Sequence, residues 1–110
     1  MPFDLAQLTK AVGQHQRVAR ILVAETAGSA PRDAGTSMLV WKDGQHGTIG
    51  GGTLEYQAVI AARQTLENPA TWQRTLRRVP LGPDLGQCCG GTVTLMTEFY
   101  GASECETLNA

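Results

Sequence analysis

Only three cysteines and two histidines occur in the 110 residues, and that scarcity excludes several kinds of protein. An odd cysteine count, with Cys88 and Cys89 adjacent, leaves no disulfide framework, because neighbouring residues are too close for an ordinary bridge. A structural zinc ion takes about four ligands in paired spacing, which Cys88, Cys89, Cys105, His15 and His46 do not supply. No run of about 18 apolar residues is present, so no membrane span is expected. Nor is there a basic surplus: nine Lys and Arg against ten Asp and Glu give a formal charge of −1. A protein that grips nucleic acid by general electrostatics needs such a surplus, and Arg74, Arg77 and Arg78 form the only local basic cluster. The opening "MPFDLAQLTK" lacks the basic start, apolar core and cleavage site of a secretory signal, so the expected location is the cytoplasm.

What is present is a globular composition, 42% hydrophobic and 17% charged, with a length suited to one core. Asp4 is a candidate N-cap for a helix in which Leu5, Leu8 and Val12 recur at helical spacing and which ends near Gly13. "RVARILVAET" reads as a buried strand, followed by the loop "AGSAPRDAGT". "SMLVW" and "QHGTI" flank Asp43-Gly44 as a hairpin. "TLEYQAVIAARQTLE" has the period of an amphipathic helix that Asn68-Pro69 ends, and "TWQRTLRRVPL" and "TVTLMTEFY" read as two further strands. The order predicts an α+β fold: a small single domain over residues 1–100 with a mostly antiparallel sheet and two helices, then a polar tail or linker over 101–110. The last strand is expected to leave an apolar face or edge that pairs in a homo-oligomer, most simply a two-fold dimer.

Three loops carry the chemistry. "GSAPRDAGT" offers Arg32, whose planar fork suits phosphate or carboxylate. "GTIGGGTLE" runs a strand through Gly50, Gly51 and Gly52 into a helix start, where bare backbone N–H groups attract anions. Its glycines match neither the dinucleotide pattern nor the lysine-bearing triphosphate loop. Glu55 sits where it repels a phosphate, and the plainer role of the turn is to join strand to helix with Glu55 satisfying the helix's own positive end. "LGQCCGG" sets Cys88 and Cys89 between glycines, either as soft ligands open to a bulky cofactor or as small buried hydrophobes. "GTIGGGT" and "GQCCGGT" also echo one another. A thiol–imidazole pair with His46 finds no orienting third group in the sequence.

Together, "ETAGSAPRDAGTSMLVW", "DGQHGTIGGGTLEYQAV" and "PLGPDLGQCCGGTVTLMTE" resemble the N-terminal domain of the xanthine dehydrogenase accessory proteins, the XdhC/CoxI family. The resemblance implies a non-catalytic chaperone domain that transiently binds the molybdenum cofactor (molybdopterin). Such a domain protects the cofactor, assists its sulfuration with a cysteine desulfurase partner, and delivers it to xanthine dehydrogenase. It implies Arg32, Gly50, Gly51, Gly52, Gln87, Cys88 and Cys89 as cofactor-binding residues, with Cys88 and Cys89 meeting the metal. Thr53 stands where many relatives of the aldehyde and carbon-monoxide oxidase branch carry cysteine, which favours the xanthine dehydrogenase branch. Family members continue into a second, nucleotide-binding-like domain, so a site shared between domains is incomplete in 110 residues. A thiol redox or sulfur-transfer domain using Cys88 or Cys89, and a docking module without its own cofactor site, are the alternatives.

Overall fold

The computed structural model describes residues 5–28, 33–67, 74–81, 91–102 and 104. Helix α1 (Leu5–His15) runs two residues past Gly13 and stops at Gln16, whose positive φ of 71° turns the chain while its N–H still donates to the Val12 carbonyl at 2.7 Å. A left-handed residue after the last turn is a common way for a helix to end. The expected cap Asp4 lies outside the described residues.

Strand β1 (Val18–Ala27) is followed by β2 (Ser37–Trp41) and β3 (Gly44–Gly47), joined through Lys42 and Asp43. Gly44 therefore belongs to the strand and not to the turn. Its task is clearance: a Cβ there would lie 2.7 Å from Trp41 Nε1, so the indole occupies the space a side chain would take. Helix α2 (Gly52–Leu66), β4 (Arg74–Pro80) and β5 (Thr92–Tyr100) complete the order. The predicted start of β4 at residues 71–73 lies outside the described residues. All four strand pairings are antiparallel and the spatial order is β3-β2-β1-β5-β4, so the fold is α+β as expected.

The two helices cover opposite faces. Alternation along a strand sends successive side chains to opposite sides, and both sides of β1 are used: Ala19, Ile21 and Val23 join the core under α2, while Val18 joins the smaller core under α1. Under α2 the core includes Met38, Val40, Leu54, Val59, Ala62, Val93, Leu95 and Phe99. Under α1, Leu8, Ala11 and Val12 pack with Val18, Leu39 and Tyr100. Beyond α1 that second face carries an ion triad. Arg20 and Glu98 are buried, with Arg20 Nη1 donating to Glu98 Oε1 at 3.2 Å, and Arg74 Nε donates to Glu98 Oε2 at 3.0 Å from the more exposed strand. No helix among the described residues is long and apolar enough to cross a membrane.

Candidate functional site

Strand directions root the first and third glycine-bearing segments together at one end of the sheet, and the second leaves β3 in the same direction but level with Ile21 of β1. Ala27 at the end of β1 lies opposite Thr92, the start of β5, and Thr92 also lies opposite Pro80, the end of β4. Gly47, the end of β3, lies opposite Met38 at the start of β2, and α2 begins five residues later. The roots of the first and third segments touch: a Cβ on Gly28, whose φ is 72°, would come within 3.3 Å of Gly91 Cα, and Leu81 N–H donates to the Gly91 carbonyl at 2.6 Å. Fully buried Ile49 and Leu81 anchor the second and third segments in the core beneath α2.

Gly50, Gly51 and Gly52 have φ values of 121°, 77° and 68° in succession, a path that side-chain-bearing residues adopt only under strain. This path aims the loop's donors inward at Glu55, one turn into α2. Ile49 N–H (3.0 Å), Gly51 N–H (3.1 Å) and the Thr48 hydroxyl all donate to Glu55 Oε1. Gly50 N–H donates to Thr48 Oγ1 at 3.0 Å, and Gln45 Nε2 to Glu55 Oε2 at 3.3 Å. The carboxylate thus does at the helix start what a bound anion would do. On the outer side the backbone is bare, since a Cβ on Gly51 would meet no atom within 4 Å. The sequence pairs Glu55 with the helix end but does not single out Thr48 and Gln45, whose only signal is an amide within β3 and a hydroxyl just after it.

The sequence model of the XdhC and CoxI family matches residues 11–77 of this chain. The chain belongs to that family. A crystal structure of a xanthine dehydrogenase from Bacillus halodurans has a similar fold, with a TM-score of 0.74 and 23% identity, the match covering 96% of this chain and 33% of that one. The chain therefore spans about a third of the length of that protein. No curated protein sequence matches it.

Within this member of the XdhC and CoxI family, the matched region takes in Gly50, Gly51 and Gly52 together with Arg32. Arg32, Gln87, Cys88 and Cys89 lie outside the described residues, but the strand ends from which their segments spring converge as above. His46 is placed elsewhere, on β3 opposite Leu39 of the α1 core and with its Nε2 2.5 Å from Gln7 Nε2. His15 stacks on Trp41 beside it, with ring centroids 4.0 Å apart. Both histidines are thus engaged around α1. No group of three or more His, Cys, Asp and Glu able to hold a metal occurs among the described residues.

Burial by itself raises the Glu55 carboxyl, but hydrogen bonds from Thr48, Ile49, Gly51 and Gln45 outweigh it and hold the pKa below the ordinary 4.5. A depressed folded pKa means that the unfolded chain binds the proton more readily, so this contribution is complete above about pH 4.5 and fades as pH falls through the folded value. Glu55→Ala is expected to cost about 0.5–2 kcal/mol, the range for a lost N-terminal cap. Urea titrations at pH 7 and pH 3 check it: the wild-type advantage should be smaller at pH 3.

Proposed function

We propose that the chain is a molybdenum-cofactor-binding accessory domain that serves xanthine dehydrogenase, holding the cofactor at the loop-bearing end of the sheet and performing no catalysis of its own. Family membership supports an accessory role. The observation that carries the reading further is the common root of the first and third glycine-bearing segments at one sheet end, so close that a side chain on Gly28 would press on Gly91, with the glycine turn after β3 leaving the sheet in the same direction. A bulky, flat ligand needs such bare backbone on several sides.

Glu55 favours one distribution of the cofactor's parts. Because its carboxylate already takes the inward donors of the glycine turn, a phosphate there would meet like charge. A neutral pterin ring meets no such repulsion and can lie against the bare outer backbone of Gly51. We therefore assign the pterin to Gly50, Gly51 and Gly52, the phosphate to Arg32, and the metal end to Cys88 and Cys89 with Gln87 beside them. Bound there, the cofactor supplies oxo-transfer chemistry for the recipient enzyme. This chain's residues orient the pterin edge, neutralise the phosphate and shelter the metal end during sulfuration by a cysteine desulfurase and transfer to xanthine dehydrogenase.

Molybdenum and pterin analysis of the chain purified from cofactor-producing cells tests the reading, and protein without either would leave a docking role in its place. Arg32→Ala is expected to weaken binding of a phosphorylated pterin by about 1.5–3 kcal/mol, the worth of a charge-assisted hydrogen bond. Raising salt should weaken the wild type more than the variant, because screening acts on a charge the variant has lost. Equal affinity and equal salt dependence would remove Arg32 from the site.

A further inference from the structure

The half of the second sheet face that α1 leaves open has an ordered composition. Across β1, β5 and β4, register places Leu22, Met96 and Leu76 in one row, and Glu25, Thr94 and Arg78 in the next row toward the loop end. The register shift between Val23 and Glu25 is what keeps Glu25 on this face: if Ala24 took a regular place in the ladder, alternation would send Glu25 to the α2 side. Leu76 is 68% exposed, Leu22 and Met96 are half-buried, and Glu25 and Arg78 are exposed. Glu25, Leu76, Arg78, Thr92 and Thr94 line a shallow depression of about 370 Å³. An apolar row crossing three strands on an open face favours burial against a partner.

The charges indicate which partner. Glu25 sits on the β1 side and Arg78 on the β4 side of the same row, with β5 between them. A two-fold axis running along β5 exchanges the two sides, so each Glu25 comes opposite the other copy's Arg78 and each Leu22 opposite Leu76, with Met96 meeting itself. We propose that this open half-face is the contact between two copies of the chain. Edge pairing is the poorer route. The edge strand β4 carries Arg74, Arg77, Arg78 and Pro80, so self-pairing would set like charges side by side and lose a ladder hydrogen bond, and the other edge, β3, is only four residues long. In the Glu25 row the face contact joins opposite charges, it covers the apolar row in a closed, isologous arrangement, and in the row beyond it Arg74 comes opposite the other copy's Arg20, both already neutralised by Glu98. It is independent of any cofactor.

Sedimentation equilibrium across a concentration series tests it with four variants. Leu76→Asp, on an exposed side chain and so without cost to folding, is expected to weaken the dimer by about a hundredfold, since it places two carboxylates in the apolar row. Glu25→Arg and Arg78→Glu each create two like-charge pairs and should weaken it by about tenfold. The double variant Glu25→Arg with Arg78→Glu restores opposite charges and should return to within about threefold of the wild type. Circular dichroism verifies the fold of each. A wild type that is monomeric throughout, single variants that associate unchanged, or a double variant no tighter than the singles would each overturn the proposal.

Discussion

Glu98→Ala is expected to destabilise the protein by about 3–5 kcal/mol, the typical consequence of removing one partner of a buried ion pair. The loss comes less from the missing attraction than from what remains: Arg20 stays buried, with its Nη1 deprived of Glu98 Oε1. Arg74→Ala should cost only about 0–1 kcal/mol, because its side chain is half exposed and water replaces the carboxylate. Replacing both buried members, Arg20→Met with Glu98→Leu, should recover most of the loss, since an apolar pair of similar size removes both desolvation costs. Urea denaturation followed by circular dichroism gives all three values, and a Glu98→Ala loss below that of Arg74→Ala would refute the account. The same carboxylate acts on its neighbour. Burial, reinforced by Glu98, pushes the Tyr100 phenol up to about 12 from 10.0. The unfolded chain releases that proton more readily, so the contribution is complete below pH 10 and is lost as pH rises toward 12.

Replacing Cys88 and Cys89 together by Ala is expected to abolish retention of molybdenum while leaving the fold intact, if both thiols serve the cofactor as we propose. Thiolate is a strong, soft ligand and alanine offers no donor at all, so the metal-to-protein ratio after purification should fall by roughly tenfold or more, with bound pterin falling less because its other contacts persist. The competing account makes a different measurement move. Were the thiols packed as small hydrophobes, the double variant would keep its cofactor and lose melting temperature.

The fold was legible wherever side-chain patterning carried the information. "TVTLMTEFY" alternates cleanly and is β5 from end to end, and "TLEYQAVIAARQTLE" is offset from α2 by one residue at each end. Errors arose where glycine served a purpose that local pattern does not encode. Gly44 was read as a turn residue because Asp-Gly favours turns, but its small size makes room for Trp41. Gly13 predicts a helix end nearby, and α1 ends two residues on at His15, before the left-handed Gln16. The strand order was beyond the sequence: nothing local indicates that β1 pairs with β5, a contact between distant segments. The site was partly legible for the same reason. The glycine triplet announces a helix start, and Glu55 opposite it announces a filled one, but the common root of the first and third segments follows only from register.

That central pairing of β1 with β5 has a consequence for how the protein is made. Val18 lies opposite Tyr100, so the middle of the sheet joins strands from near the two ends of the sequence. Loop closure over such a span is entropically costly and slow. On a ribosome adding about 5–20 residues per second, the hairpin of β2 and β3 and its neighbour β1 emerge first, and β1 waits for many seconds with its inner edge unpaired. An unpaired apolar edge invites other chains. Val18, Ala19, Ile21 and Val23 are therefore the β1 residues that stay uncovered on one side until β5 has been made.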